Sequence, residues 1–347
     1  MKAIDLFCGC GGLTEGLRNA GYEVIGAVDN EPIAVKSYRI NHPDVYVWEA
    51  DIKTMEGGEV RRKLKLKVGE LDLLAGCPPC QGFSRLTTRN GSIDTGKLRR
   101  SKNELLFEFL RFVKALRPKA IMLENVPGLY DDSRLRRFLK SLGKLGYHCE
   151  FEDVVRVLNV AAYGVPQRRR RLILMTSLGG PVSFAEPLEQ RLTVRKTIDK
   201  LLPAGCSGDP LHDLPEKRTA AMMERIRATK ADGGSRADLP AELQPECHRQ
   251  QTGFKDVYGR MKWDDVSPTM TGGCHNPSKG RFLHPVEHRA ITLREAALFQ
   301  SFPPNYHFCL DRGKESVALM IGNALPPVFI EAHAVHISEA LRRYKLA

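Results

Sequence analysis

From residue 1 to residue 177 the chain alternates short apolar runs with amphipathic segments, and polar or glycine-bearing motifs sit where the runs end. The runs Ala3–Phe7, Tyr22–Val28, Val45–Trp48, Leu71–Ala75, Lys119–Leu123 and Leu172–Thr176 have the length and composition of buried strands. Between them, Leu13–Ala20, Pro32–Asn41, Asn103–Leu116 and Ser133–Leu145 have helical spacing, and Pro32 suits a first helical turn. Strand–helix alternation predicts an α/β fold with a doubly wound, mostly parallel sheet. Ligands of such sheets bind at the carboxyl ends of the strands. After residue 177 the texture changes. Residues 178–285 are rich in Pro, Gly, Arg and isolated charges, which predicts a second, smaller, irregular domain. Helical patterns return in Thr292–Gln300, opened by a Thr292-x-x-Glu295 capping box, and in Pro327–Tyr344.

At 347 residues and 42% hydrophobic composition the chain can bury a core, so disorder is excluded as its main state. No run of about 18 apolar residues predicts a membrane helix, and Met1–Gly12 is too short in its apolar part for a signal peptide. Without such a leader, the nine cysteines are expected to be reduced thiols in the cytosol. Cys77-x-x-Cys80 has no second CxxC to complete a zinc site, and no metal is expected. Lys and Arg outnumber Asp and Glu by 53 to 41, a net +12. That surplus suits a nucleic-acid partner, or is simply a basic surface.

Four motifs could carry chemistry. Asp5-Leu6-Phe7-Cys8-Gly9-Cys10-Gly11-Gly12 runs from a strand through a glycine turn, which lets a ligand approach the backbone. It is neither GxGxxG nor a P-loop, so a nucleoside without pyrophosphate fits better than a dinucleotide. Asp29 and Asp51, at the next strand ends, could accept from ribose hydroxyls and an adenine amine, or cap helices. Gly76-Cys77-Pro78-Pro79-Cys80-Gln81-Gly82-Phe83-Ser84 places a cysteine in a stiff turn, as a candidate nucleophile or an inert thiol. Glu124-Asn125-Val126-Pro127 closes the fifth run; a carboxyl among apolar residues can stay protonated and donate, or can serve as a cap. Lastly, Gln167-Arg168-Arg169-Arg170-Arg171 precedes a strand whose alternation puts Arg169 and Arg171 on one face, unless the run is merely solvated charge.

Taken in order, these motifs resemble the DNA cytosine-5 methyltransferase family. The likeness rests on Asp5–Gly12, Pro79-Cys80-Gln81, Glu124-Asn125-Val126, Gln167-x-Arg169-x-Arg171, Arg289-x-x-Thr292-x-Arg294-Glu295 and Gly322-Asn323. It implies a class I methyltransferase (Rossmann-like) fold with S-adenosylmethionine as methyl donor. The catalytic domain would span 1–177 plus 320–347, with 178–319 as the small domain and about 178–285 as its target-recognition region. Phe7 would pack on the adenine, with Gly9 and Gly11 in the close-approach turn. Asp29 would bind the ribose, although many members carry Glu there, and Asp51 would take the adenine amine. Pro79, through its carbonyl, Leu105 and Asn323 with Gly322 would complete the pocket. Cys80 would be the nucleophile, Glu124 would bond N3 and the exocyclic amine, Arg169 would anchor the base carbonyl or a phosphate, and Arg171 would orient that cluster.

The resemblance also implies a lid over DNA in Gly82–Lys102, with Ser84 and Arg85 near the flipped nucleotide. Lys262–Thr271 and Asn276–Arg281 resemble the end of the recognition region, with Lys279 and Arg281 toward phosphate. Arg249, Gln250 and Gln251 are candidate base readers. Implied, then, is a monomeric bacterial enzyme on double-stranded DNA, cytoplasmic and nucleoid-associated, with no membrane partner. A cognate restriction endonuclease would be a functional companion only. A tRNA cytosine-5 methyltransferase and a catalytically silent DNA-binding relative are the competing readings.

Overall fold

β1 (Lys2–Leu6) is buried along almost its whole length, and it organises the sheet around itself. The computed structural model describes residues 1–79, 105–244 and 256–346. Cys80, Ser84, Arg85, the segment 82–102 and Arg249, Gln250 and Gln251 lie outside the described residues. The described chain divides into two units. One comprises Met1–Tyr163, Arg170–Pro187 and Leu325–Ala347; the other comprises Gly164–Arg169 and Leu188–Ala324.

The first unit holds a seven-stranded sheet in the order β3-β2-β1-β4-β5-β7-β6. β1, β2 (Glu23–Asp29), β3 (Tyr46–Glu49), β4 (Leu73–Gly76) and β5 (Ala120–Asn125) run parallel. β7 (Arg170–Ser177) pairs antiparallel with β5, and β6 (Val155–Asn159) antiparallel with β7. The doubly wound, mostly parallel architecture expected from the alternation is therefore present. Its crossovers are α1 (Gly12–Asn19), α2 (Pro32–Asn41), α3 (Gly57–Lys63), α4 (Leu105–Leu116) and α5 (Ser133–Gly143). Ile4, Leu6, Leu74, Ile121 and Leu123 bury against Phe109 and Phe112 of α4 and Phe138 of α5. The pairs Leu6↔Val28, Leu6↔Gly76 and Gly76↔Leu123 bring the carboxyl ends of β2, β1, β4 and β5 level. Strand order reverses between β1 and β4, which is where such sheets open a crevice.

The C-terminal helix Pro327–Leu346 returns to the first unit. By composition Gly313–Tyr344 could span a membrane, but it is two helices, and 67% of its most apolar window is buried. In that core His333 is fully buried among Tyr163, Phe184 and Phe329, with Nδ1 donating to the Phe329 carbonyl at 2.9 Å. Burial pulls its pKa from 6.5 down to about 4. Below pH 6.5 the unfolded chain takes up a proton that the folded chain refuses. The stability His333 gives is thus complete above pH 6.5 and lost as pH falls toward 4, by about 2 kcal/mol at pH 5. We predict that His333→Leu narrows the drop in urea midpoint between pH 7 and pH 5; an unchanged drop would refute the assignment.

The second unit has few ladder bonds and is tied together by a buried arginine. Arg260 is 1% exposed, and its guanidinium donates to the carbonyls of Thr229 (3.0 Å), His284 (2.9 Å), Ile226 (2.8 Å) and Glu287. Ile226, Val257, Tyr258 and Leu283 form a small apolar cluster in the same unit. One side chain here satisfies carbonyls that a regular element would have paired within itself.

Candidate active site

In the first unit, the turn after β1 is built from backbone conformations that most residues avoid. Phe7 (φ 63°), Gly9 (φ 54°) and Gly11 (φ 102°) are all left-handed. A side chain at Gly9 would meet nothing within 4 Å, so its glycine serves conformation and leaves open space. Phe7 stands just past β1, half-buried, and carries a real steric cost in that conformation.

Asp29 ends β2 and holds this turn. Its Oδ2 accepts from the Gly9 N–H at 2.8 Å and its Oδ1 from the Glu31 N–H at 2.9 Å. Burial raises its pKa against the lowering effect of those N–H bonds. Both oxygens therefore already have backbone partners, and a ribose diol would share them. Asp51 is exposed and caps a short 3₁₀ turn, its Oδ1 accepting from the Lys53 N–H at 3.0 Å. The cap and the expected amine contact both fit this residue, because the carboxylate has a second oxygen. Below the turn Asp5 is fully buried, takes the Thr14 hydroxyl at 2.7 Å, and is pushed up to about 8 by burial. Leu105, at the start of α4, is partly buried against the core, and Pro79 is exposed.

This edge suits a nucleoside: an open glycine turn, an aromatic face and a carboxylate at the adjoining strand end. Cys8 and Cys10 are poor nucleophile candidates, since burial drives the Cys8 thiol far up and Cys10 up to about 12. Among the described residues, Cys8, Cys149, Cys206 and Cys274 are free thiols.

At the end of β5, Glu124 is 7% exposed and ion-paired to Arg171 of β7, Nε to Oε1 at 2.8 Å. The guanidinium of Arg171 thus lies beside the carboxyl that the sequence placed among apolar residues. Along the charge run Arg168 and Arg170 are exposed whereas Arg169 is buried and Arg171 half-buried. β7 begins at Arg170, so Arg169 precedes the strand and belongs to the second unit.

Within that second unit Arg169 is 3% exposed. Its Nη1 donates to the Met270 carbonyl (2.9 Å) and its Nη2 to those of Gly322 (3.0 Å) and Ala324 (3.2 Å). Two nitrogens of the guanidinium expected to anchor a base donate to backbone carbonyls. Gln167 joins the same network: Nε2 donates to Gln300 Oε1 at 2.6 Å, and Oε1 accepts from the Met270 N–H at 2.7 Å. Gln300 Nε2 in turn donates to the Ala324 carbonyl at 3.1 Å. A Cβ on Gly322 would lie 2.3 Å from the Thr271 carbonyl carbon, so only glycine fits. Asn323 is exposed at the last turn of its helix. Motif reading singled out Gln167 but missed Gln300, which is 133 residues away.

The expected phosphate contacts of the second unit separate. Lys279 is exposed. Arg281, by contrast, pairs with Asp256 at 3.0 Å and donates to the carbonyls of Gly233, Gly234 and Arg260 at 2.9, 2.9 and 2.8 Å. That guanidinium is a structural tie. Arg168, from the charge run, pairs with Asp265 at 3.1 Å.

Comparison with known proteins bears on the whole chain. Residues 1–339 match the model of the C-5 cytosine-specific DNA methylases. The Type II methylase M.HgiDII of Herpetosiphon aurantiacus is 37% identical over 341 residues, covering 93% of this chain and 91% of that protein. The Type II methyltransferase M1.HphI of Haemophilus parahaemolyticus is 32% identical, covering 95% and 85%. Among solved structures, the Entamoeba histolytica methyltransferase EhMeth superposes with a TM-score of 0.65 over 98% of both chains at 16% identity, a likeness of fold.

Proposed function

Because the chain belongs to the C-5 cytosine-specific DNA methylase family, we propose that it methylates C5 of a flipped cytosine within a particular duplex DNA sequence. The observation that carries this reading is the buried Glu124–Arg171 pair at the same sheet edge as the glycine turn and Asp29. A carboxylate gripped by a guanidinium is an instrument for recognising a polar ring edge.

S-adenosylmethionine, when bound, supplies an electrophilic methyl group. Phe7, Gly9, Gly11, Asp29, Asp51, Pro79 and Leu105 of the first unit would hold it. Cytosine C5 is a weak nucleophile. The Cys80 thiolate would add at C6, C5 would take the methyl group as its bond to the sulfonium breaks and the neutral thioether leaves, a base would remove the C5 proton, and expulsion of the thiolate would restore the aromatic ring. Glu124 accepts from the exocyclic amine and shares the proton at N3 as charge builds there. Arg171 keeps that carboxyl aimed. Arg169, which also holds the backbone around Met270 and Gly322, would anchor the base carbonyl or a phosphate. The target leaves the helix stack at a cost of a few kcal/mol, and Lys279 meets phosphate.

The two relatives are named as Type II enzymes, which supports a bacterial restriction-modification setting. We place the protein in the cytoplasm at the nucleoid, as a monomer, with a restriction endonuclease as a companion that forms no stable complex with it. The division into a catalytic domain (1–177 plus 320–347) and a recognition domain remains part of this proposal. Plasmid DNA treated with the protein and donor is expected to gain 5-methylcytosine at one short sequence on bisulfite sequencing. Excess tRNA should leave that transfer unaffected, whereas methylation of tRNA in preference to duplex DNA would overturn the reading.

A further inference from the structure

The ladder between β4 and β5 stops at Gly76↔Leu123. β5 continues to Asn125, whereas the neighbouring chain leaves the sheet as Cys77-Pro78-Pro79. The two prolines have no N–H with which to carry a ladder further. Pro78 is nonetheless buried, so its carbonyl needs a donor from elsewhere. Asn125, 3% exposed, provides one: its Nδ2 donates to the Pro78 carbonyl at 3.0 Å. The other arm of the same carboxamide, Oδ1, accepts from the Val126 N–H at 2.8 Å. One side chain thus replaces the missing rung, braced against its own backbone. Cys80 follows Pro78 by two residues in the sequence.

We propose that Asn125 is a positioning residue for the nucleophile: its carboxamide fixes the Pro78 carbonyl, and thereby the point from which the chain runs on to Cys80. This rests on the reading of Cys80 as the nucleophile. The site demands a donor on one arm and an acceptor on the other. Leucine offers neither. Ionised aspartate keeps the Val126 bond but sets an oxygen against the Pro78 carbonyl, acceptor against acceptor. Protonated aspartate restores the bond, with O–H donating.

The test uses the full chain, S-adenosylmethionine, and duplex DNA carrying 5-fluorocytosine at the target, and measures the rate of covalent adduct formation. Asn125→Ala and Asn125→Leu are expected to slow it by about 10- to 100-fold, as a misplacement near 1 Å would. Dissociation constants for DNA and donor should stay within about threefold, since binding groups are untouched. Asn125→Asp should be slow at pH 8 and gain on wild type, measured at the same pH, as pH falls toward 5.5. That recovery is a signature that loss of packing would not produce, and it serves even if the alanine variant folds poorly. Adduct rates equal to wild type in the Leu and Asp variants would overturn the inference alone. A wild-type chain that forms no adduct would overturn the Cys80 reading and this inference together.

Discussion

Cys80→Ala is expected to end methyl transfer, with turnover falling by at least about 10⁴-fold, because on the proposed mechanism C5 has no activated form without a sulfur at C6. Cys80→Ser should fall nearly as far, since an alcohol ionises far less readily than a thiol near pKa 8.5. Both variants should still bind the recognised duplex, as neither removes a cation or a base contact. Other thiols are poorly suited to substitute. Burial keeps Cys8 and Cys10 protonated, Cys149 is raised to about 11 and Cys274 to about 12. Cys77 is the informative control, being half-buried and three residues upstream. Cys77→Ala is expected to keep most of the activity. Transfer of a labelled methyl group to DNA checks the turnover, and a denaturation-resistant adduct with 5-fluorocytosine DNA checks the chemistry. Methylation retained in Cys80→Ala would mean that another group attacks C6.

That prediction could be written before any coordinates, because strand ends are legible in a sequence of this kind. β1, β2, β4 and β5 are short, almost wholly apolar runs closed by Phe7-Cys8-Gly9, Asp29, Cys77-Pro78 and Val126-Pro127, and the structure puts the strands where the runs are. β6 was missed for a physical reason. Val155–Asn159 is an edge strand, with Arg156 exposed and Asn159 half-buried, so it lacks the continuous apolar run that marks an interior strand. α3 starts with Gly57-Gly58, which reads as a loop, although Gly57 lies where a Cβ would be 2.6 Å from that of Ala115. The arginines were harder still. Nothing local separates Arg169, spent on the carbonyls of Met270, Gly322 and Ala324, from Arg171, spent on Glu124. The difference lies in partners about 50 to 150 residues distant, and one-dimensional spacing carries no record of them. The same holds for Arg281, expected to meet phosphate and bonded in the fold to the carbonyls of Gly233, Gly234 and Arg260.

The Glu124–Arg171 pair gives the second large effect. Glu124→Gln keeps the size of the side chain and an oxygen beside Arg171, but removes the charge and the capacity to exchange a proton with N3. Positioned acid–base groups contribute about 10²- to 10⁴-fold, so turnover should fall within that range while duplex affinity changes little. Arg171→Ala attacks the same function from the other side. It leaves a carboxylate that is 9% exposed without its cation, and removing one partner of a buried pair costs stability, about 3 kcal/mol or more. The carboxyl can escape that cost by taking a proton, which alters both its aim and its charge. The two substitutions should therefore be strongly non-additive: the double variant Glu124→Gln with Arg171→Ala should be little slower than the worse single one, because the pair acts as one device. Single-turnover methylation with all four proteins, each checked by thermal melting, decides it. Losses that simply multiply would mean that the residues act independently and that the 2.8 Å contact serves only the fold.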